Sequence, residues 1–328
     1  MKSILKKIIP TILAVSIISG VTASAQSFPD MPDDWTKESI ERAVENGLLG
    51  GFEDGTIRPN NNITRAQMAT IIVRSFGAET EADITKFTDM NPTDWHYSAF
   101  AKAVQMKAFG GDQLNHLNPN NYITFQECFK VVSSVFGLIV LDDPRVGKVG
   151  LNNQDLTVLD KFSDGAEVSD WAKPYVASVV ANGYWDGLDG KLTPKAYITR
   201  AQFAVLMDNL VKTYITEPGT YSEFSDGNIM IKSENVTLKN VTTDDYIIIA
   251  DGVKETEEGI NFVDCTVSGC LTMRGAGKNV NYKGFLQYLA LIGPELNINV
   301  NLSNLTGENG VIACIMDKTS TWSYTFGQ

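Results

Sequence analysis

Ile63-Thr64-Arg65-Ala66-Gln67 returns as Ile123-Thr124-Phe125-Gln126-Glu127 and again as Ile198-Thr199-Arg200-Ala201-Gln202. A Thr followed three residues later by Gln or Glu, at the head of an apolar run, is the pattern of a capping box. Its two side chains satisfy backbone N–H groups that a helix start leaves without partners. Thr64 with Gln67, Thr124 with Glu127 and Thr199 with Gln202 therefore mark three helix N-termini. Upstream of each lies an aromatic-x-Asp (Phe28 to Asp30, Phe87 to Asp89, Phe162 to Asp164), then Asp-Trp, an apolar run and a glycine-rich loop. Trp35, Trp95 and Trp171 precede Gly51, Gly111 and Gly187 by sixteen residues each. The copies run from 28 to 77, 87 to 137 and 162 to about 214, with a first period of 60 residues. Such a repeat is one supersecondary unit whose apolar face is buried only against its neighbours.

Within the first copy, Ile40, Ala43, Val44 and Leu48 recur at helical spacing, with Asp34 placed to cap that helix. Met68, Ile71, Ile72 and Phe76 form the apolar face of the second helix, which Gly77 stops. Phe129, Val132 and Phe136, then Phe203, Leu206 and Leu210, repeat that face. Each unit thus reads as helix, long loop, helix. Residues 138–161 insert a surface excursion or a small extra element between the second and third copies.

After about Glu217 the helical period gives way to Leu238–Thr242, Phe262–Thr266, Tyr282–Leu286 and Leu302–Thr306, at steps of 24, 20 and 20 residues. Alternating apolar residues with Asn and Gly at corners predict the rungs of a small β-solenoid over 217–328, with an antiparallel sandwich as the alternative. The fold class is α+β and multidomain: helical repeats followed by a small all-β domain.

Residues 1–25 combine a basic start (Lys2, Lys6, Lys7), an apolar stretch from Ile8 to Val21 and Ala23-Ser24-Ala25, the pattern of a cleaved secretory signal peptide. The stretch falls short of the roughly 20 residues that span a bilayer, and no later run reaches that length, so no membrane span is expected in the mature chain. A net charge of −12 argues against nucleic acid or anionic lipid as the general partner. It leaves an acidic ligand open, because short bidentate contacts are screened far less than long-range fields. Cys128, Cys265, Cys270 and Cys314 show no zinc spacing and read as buried thiols, although export permits a disulfide among the last three. No cofactor or metal is implied.

Capping explains Thr and Gln or Glu; it does not explain Arg65 and Arg200. A cation in the first helical turn opposes the helix dipole by roughly 0.3–1 kcal/mol, so its recurrence suggests an anion at the helix start or an inter-repeat ion pair. Trp35, Trp95 and Trp171 are either core residues or groove walls that meet a sugar face. Asp30, Asp89 and Asp164 are turn-formers or acceptors for sugar hydroxyls. Gly51, Gly111 and Gly187 supply corners or let backbone approach a ligand.

Taken together, these landmarks resemble S-layer homology domains, over about residues 28 to 214. The resemblance implies a pseudo-threefold assembly around a helical bundle, with inter-repeat grooves that bind secondary cell-wall polysaccharide, often pyruvylated, without covalent attachment. It places Arg65, Arg200, the three Trp, the three Asp and the loop glycines in those grooves, and the protein outside the cell on the wall or S-layer. The second copy departs from the pattern at Phe125, so one or two competent grooves are expected rather than three. Two other readings stay open: a lattice or adhesion component assembling through residues 217–328, and a wall-anchored glycan-degrading enzyme. The only histidines, His96 and His116, lie in the second copy, which rules out a Ser-His-Asp triad in the β domain. Carboxylates such as Asp244 and Asp264 alone could serve a glycosidase.

Overall fold

The structure, a computed structural model, describes residues 28–138, 156–275 and 279–292, and the backbone of three further strands up to residue 326. The leader over residues 1–25 and most of the 138–161 insertion lie outside the described residues. The described end of the insertion is a 3-10 turn, Leu156–Lys161.

Two helices form in each copy: α1 Lys37–Glu45 and α2 Arg65–Phe76, α3 Tyr97–Gln105 and α4 Phe125–Phe136, α5 Lys173–Ala181 and α6 Arg200–Leu210. Capping boxes are present at Thr64/Gln67, Thr124/Glu127 and Thr199/Gln202. Asp34 does not cap α1, because the helix begins later, after Thr36. Its Oδ1 instead accepts the N–H and hydroxyl of Thr36 at 2.9 and 2.7 Å, a local turn that precedes the helix.

The repeats close on one another around a ring of three backbone hydrogen bonds. Ile63 N–H donates to Ile198 O, Ile198 N–H to Ile123 O and Ile123 N–H to Ile63 O, at 3.0 to 3.1 Å. All three isoleucines are fully buried, so the ring lies in a dry centre where its bonds are hard to replace by water. This ring is the pseudo-threefold axis. Around it the first helix of each copy packs on the second helix of the copy before, with α1 on α6 closing the circle. Arg42 of α1 grips both oxygens of Asp208 on α6, joined by Ser39.

Val211 follows α6 in an extended conformation, and the chain passes directly into strands β1 Thr213–Ile215, β2 Gly219–Tyr221, β3 Ile229–Ile231, β4 Val236–Lys239, β5 Thr242–Thr243, β6 Ile247–Ile249, β7 Ile260–Met273, β8 Val280–Leu291, β9 Ile298–Leu305, β10 Ala313–Met316 and β11 Trp322–Phe326. Every pairing between them is parallel. That excludes the antiparallel sandwich and gives a β-solenoid of about four turns. Equivalent residues stack from rung to rung, as in Thr237, Asn261, Asn281, Asn301 and Thr325. Cys128 and Cys265 are buried free thiols and Cys270 is buried; the Cys314 side chain is outside the described residues.

One solenoid face is apolar on both sides, as the run Ile247-Ile248-Ile249 requires of a doubly covered strand. Its buried column Met230, Ile248, Thr272 and Ala290 reaches the C-terminal end of α4 through Thr272. The last carbonyls of the second helices lack intrahelical partners, and the solenoid supplies donors. Gly252 N–H bonds to Phe76 O at 2.9 Å, Thr272 Oγ1 to Phe136 O at 3.2 Å and Asn228 Nδ2 to Leu210 O at 2.8 Å. Gly252 is pressed so closely on Gly77 that a Cβ would stand 2.5 Å from the Gly77 carbonyl oxygen. Gly252→Ala is therefore expected to cost about 1–3 kcal/mol, since backbone must move to admit the methyl group. Chemical denaturation of the full chain measures it; an unchanged midpoint would contradict this packing.

Candidate functional site: the junctions between repeats

The loop between the two helices of each copy is held from within its own repeat. Asp30 accepts the backbone N–H of Ile57 and of Arg58, both at 2.8 Å. Asp89 does the same for Leu117 and Asn118, and Asp164 for Leu192 and Thr193. Arg58, Asn118 and Thr193 have φ of 51°, 53° and 47°, a left-handed conformation that non-glycine residues adopt at a cost. Two charge-assisted bonds per carboxylate offset that cost. Desolvation pushes the Asp30 carboxyl up, but the Ile57 and Arg58 N–H groups bring it below its usual value. Of the two readings of these aspartates, turn formation has a direct structural account.

The recurring glycines have a packing reason as well. A Cβ at Gly51 would lie 2.3 Å from the Phe28 ring, at Gly111 2.4 Å from Phe87 and at Gly187 2.7 Å from Phe162. The aromatic of each aromatic-x-Asp thus fills the space over the loop glycine of its own copy.

The helix starts hold no free anion site. Arg65 and Ala66 donate their N–H groups to Asn121 O and Pro119 O, Phe125 and Gln126 to Ala196 O and Pro194 O, and Arg200 and Ala201 to Asn61 O and Pro59 O. The anion expected at those N-termini would meet donors already taken by the neighbouring copy. The arginine side chains cross to that neighbour too. Arg65 Nε donates to Leu117 O at 2.8 Å, and Arg200 Nε to Ile57 O at 2.8 Å with Nη2 on Gly50 O at 2.7 Å. Ile57 and Leu117 therefore give their N–H to an Asp of their own copy and their carbonyl to an Arg of another. Both arginines thus bridge to another copy through backbone carbonyls, and Arg65 also faces a carboxylate there, Glu127.

Each arginine also lies over an aromatic ring, Arg65 5.3 Å from the Phe109 centroid and Arg200 4.9 Å from Phe52. At the third junction Phe125 packs on Trp185 at 5.2 Å, and Trp185 is buried. Aromatic packing replaces the cation there, so among the described residues no guanidinium stands at the junction of the second and third copies.

Trp35, Trp95 and Trp171 are 59%, 69% and 49% exposed, which removes the core reading for all three. Trp171 meets Arg65 at a cleft of about 640 Å³. The first copy contributes Arg65; the second contributes Phe109, Gly111, His116, Tyr122, Glu127 and Lys130; the third contributes Trp171. Lys130 Nζ lies 5.8 Å from the Trp171 ring, and Arg65 Nη1 is 3.8 Å from Glu127 Oε1. Burial lowers the Arg65 pKa while Glu127 pulls it up, and the guanidinium stays charged at any physiological pH. A cation beside an exposed indole suits a ligand with a carboxylate at one end and an apolar ring face at the other. Arg200 is only 6% exposed and already serves two carbonyls, so the three junctions differ in kind. Tyr122, His116 and Lys130 were not foreseen: His116 and Lys130 have no counterpart in the other copies, Tyr122 recurs only as Tyr197, and only contact between copies brings the three to Arg65.

The family model for the S-layer homology domain matches residues 27–69, 86–127 and 161–204. A surface-layer 125 kDa protein of Lysinibacillus sphaericus is 28% identical over 249 residues, 75% of this chain and 19% of its own length. A cellulosome-anchoring protein of Acetivibrio thermocellus is 29% identical over 185 residues, 55% of this chain and 38% of its own length. An exoglucanase of the same organism is 27% identical over 195 residues, 59% of this chain and 17% of its own length. The chain thus spans less than two fifths of each of these relatives. No helix among the described residues is long and apolar enough to cross a membrane. The closed ring of three copies, the shared loop clamps and the three family matches lead to one conclusion: the chain is a secreted cell-surface protein of three tandem S-layer homology domains followed by a β-solenoid.

Proposed function

We propose that the chain anchors itself to the bacterial wall without a covalent bond, by binding secondary cell-wall polysaccharide in the cleft between Arg65 and Trp171, and displays the solenoid. The observation that carries this reading is the meeting of a charged Arg65 and a half-exposed Trp171, from different copies, in one cleft. A pyruvate ketal on a sugar would give Arg65 its carboxylate, and the sugar face would lie on the indole. A charge-assisted hydrogen bond of that kind contributes about 1.5–3 kcal/mol. The Arg200 junction is a weaker second site, and at the third junction Phe125 stands in the place of the arginine. The presence of S-layer and anchoring proteins among the relatives supports attachment and display over catalysis.

Trp171 gives the cleanest test because its exposed ring has little to lose on truncation. Trp171→Ala is expected to lower binding to purified wall sacculi by about tenfold with an unchanged melting temperature. Sedimentation of the full chain with sacculi measures it. Parent-like binding by the variant would remove the cleft from the account.

A further inference from the structure

The exposed tyrosines at the axis take this reading further. Tyr122 and Tyr197 directly precede Ile123 and Ile198 of the closed ring, and each forms a β-bridge to a capping threonine of the preceding copy, Thr64 and Thr124. Their rings are 5.4 Å apart at 55°, yet they remain 48% and 51% exposed. The pair therefore has open surface beyond its mutual contact. At the third equivalent position stands Asn62, so the aromatic surface lies on one side of the axis only. Tyr122 also lines the Arg65 cleft, whereas Tyr197 belongs to the next junction, where Phe125 has replaced the cation.

We propose that Tyr122 and Tyr197 form a stacking bridge for sugar rings, carrying one wall-glycan chain out of the Arg65 cleft and across the axis toward the Phe125 junction. The proposal rests on the wall-glycan reading above and adds a direction and an extent to it. Continuity with the cleft is the first support, since Tyr122 is common to both. The second is chemical. A tyrosine pairs an apolar ring with a polar tip, and a glycan presents apolar ring faces bordered by hydroxyls. The third is charge: the acidic group sits at Arg65, so the units beyond it need no second guanidinium, and the junction they approach carries Phe125 where the arginine would stand.

The test titrates the full chain with secondary wall polysaccharide released from sacculi by hydrofluoric acid and fractionated into single repeat units and long chains. The parent is expected to bind long chains more tightly than single units. Tyr197→Ala should weaken the long-chain complex by about tenfold, leave single-unit binding unchanged, and so abolish most of the length dependence. Tyr197→Phe, which keeps the ring, should behave as the parent. Equal affinity of the parent for both fractions would overturn the bridge. So would a Tyr197→Ala variant that keeps the parental length dependence, even with a lowered melting temperature, because the pair would then be a structural contact alone. If the parent binds neither fraction, the wall-glycan reading itself fails, and the bridge with it.

Discussion

Arg274→Ala is expected to destabilise the full chain by about 3–5 kcal/mol, the usual consequence of stripping a buried charge of its partner. Arg274 is fully buried where the solenoid meets the helices. Its Nε stands 2.6 Å from Asp251 Oδ2, and its Nη2 donates to Asp251 Oδ1 and to Met106 O at 3.2 Å each. The guanidinium also lies 5.4 Å from the Phe76 ring at the end of α2. Truncation would leave Asp251 mostly buried without its cation and remove a donor from the chain after α3. Because Asp251 adjoins Gly252, which caps Phe76 O, the damage reaches both parts of the molecule. Replacing the pair together, Arg274→Met with Asp251→Leu, should recover most of the loss, since no isolated charge remains. Urea denaturation of the three proteins measures this. An Arg274→Ala midpoint equal to the parent's would show that the two parts are not coupled through this contact.

The largest effect on binding is expected at Arg65. Arg65→Ala should weaken attachment to wall sacculi by about 10–150-fold, the equivalent of about 1.5–3 kcal/mol. Lys should restore only part of it, because an ammonium cannot present a planar fork to a carboxylate. The variant also loses the bond to Leu117 O, so its melting temperature has to be followed alongside. Arg200→Ala is expected to show the reverse balance. That side chain is nearly enclosed and spends its donors on Ile57 O and Gly50 O, so its loss should register more in stability than in attachment. Equal effects of the two substitutions on sacculus binding would contradict the inequality of the junctions.

Much of the architecture was legible because it is local or periodic. Thr64 with Gln67 declares a helix start within four residues, and Gly77 at φ 62° ends that helix as expected. The steps between Leu238, Phe262 and Tyr282 are the rungs that pair in parallel register. What escaped was whatever depends on one copy meeting another. Arg65 looked surplus within its own helix because its acceptor, Leu117 O, lies 52 residues away. Gly51 could be read as an approach point for a ligand until Phe28 was seen to occupy the space. Asp34 sat beside the helix but not at its start, a boundary that spacing alone does not resolve. Phe125 could be recognised as a departure, yet its consequence required the position of Trp185, which lies two residues before Gly187 as Phe109 lies before Gly111. Trp171 was identified correctly as recurrent, but only its exposure distinguishes a wall from a core residue.

The central claim is that the junctions are unequal and that the Arg65 cleft holds the wall polymer. A crystal structure of the full chain soaked with single repeat units of the hydrofluoric-acid-released polysaccharide tests it most directly. The account predicts sugar density against the Trp171 ring, with an acidic group within hydrogen-bond distance of the Arg65 guanidinium, and no such acidic contact at the Phe125 junction. Sugar bound at the Phe125 or Arg200 junction with the Arg65 cleft empty would contradict it.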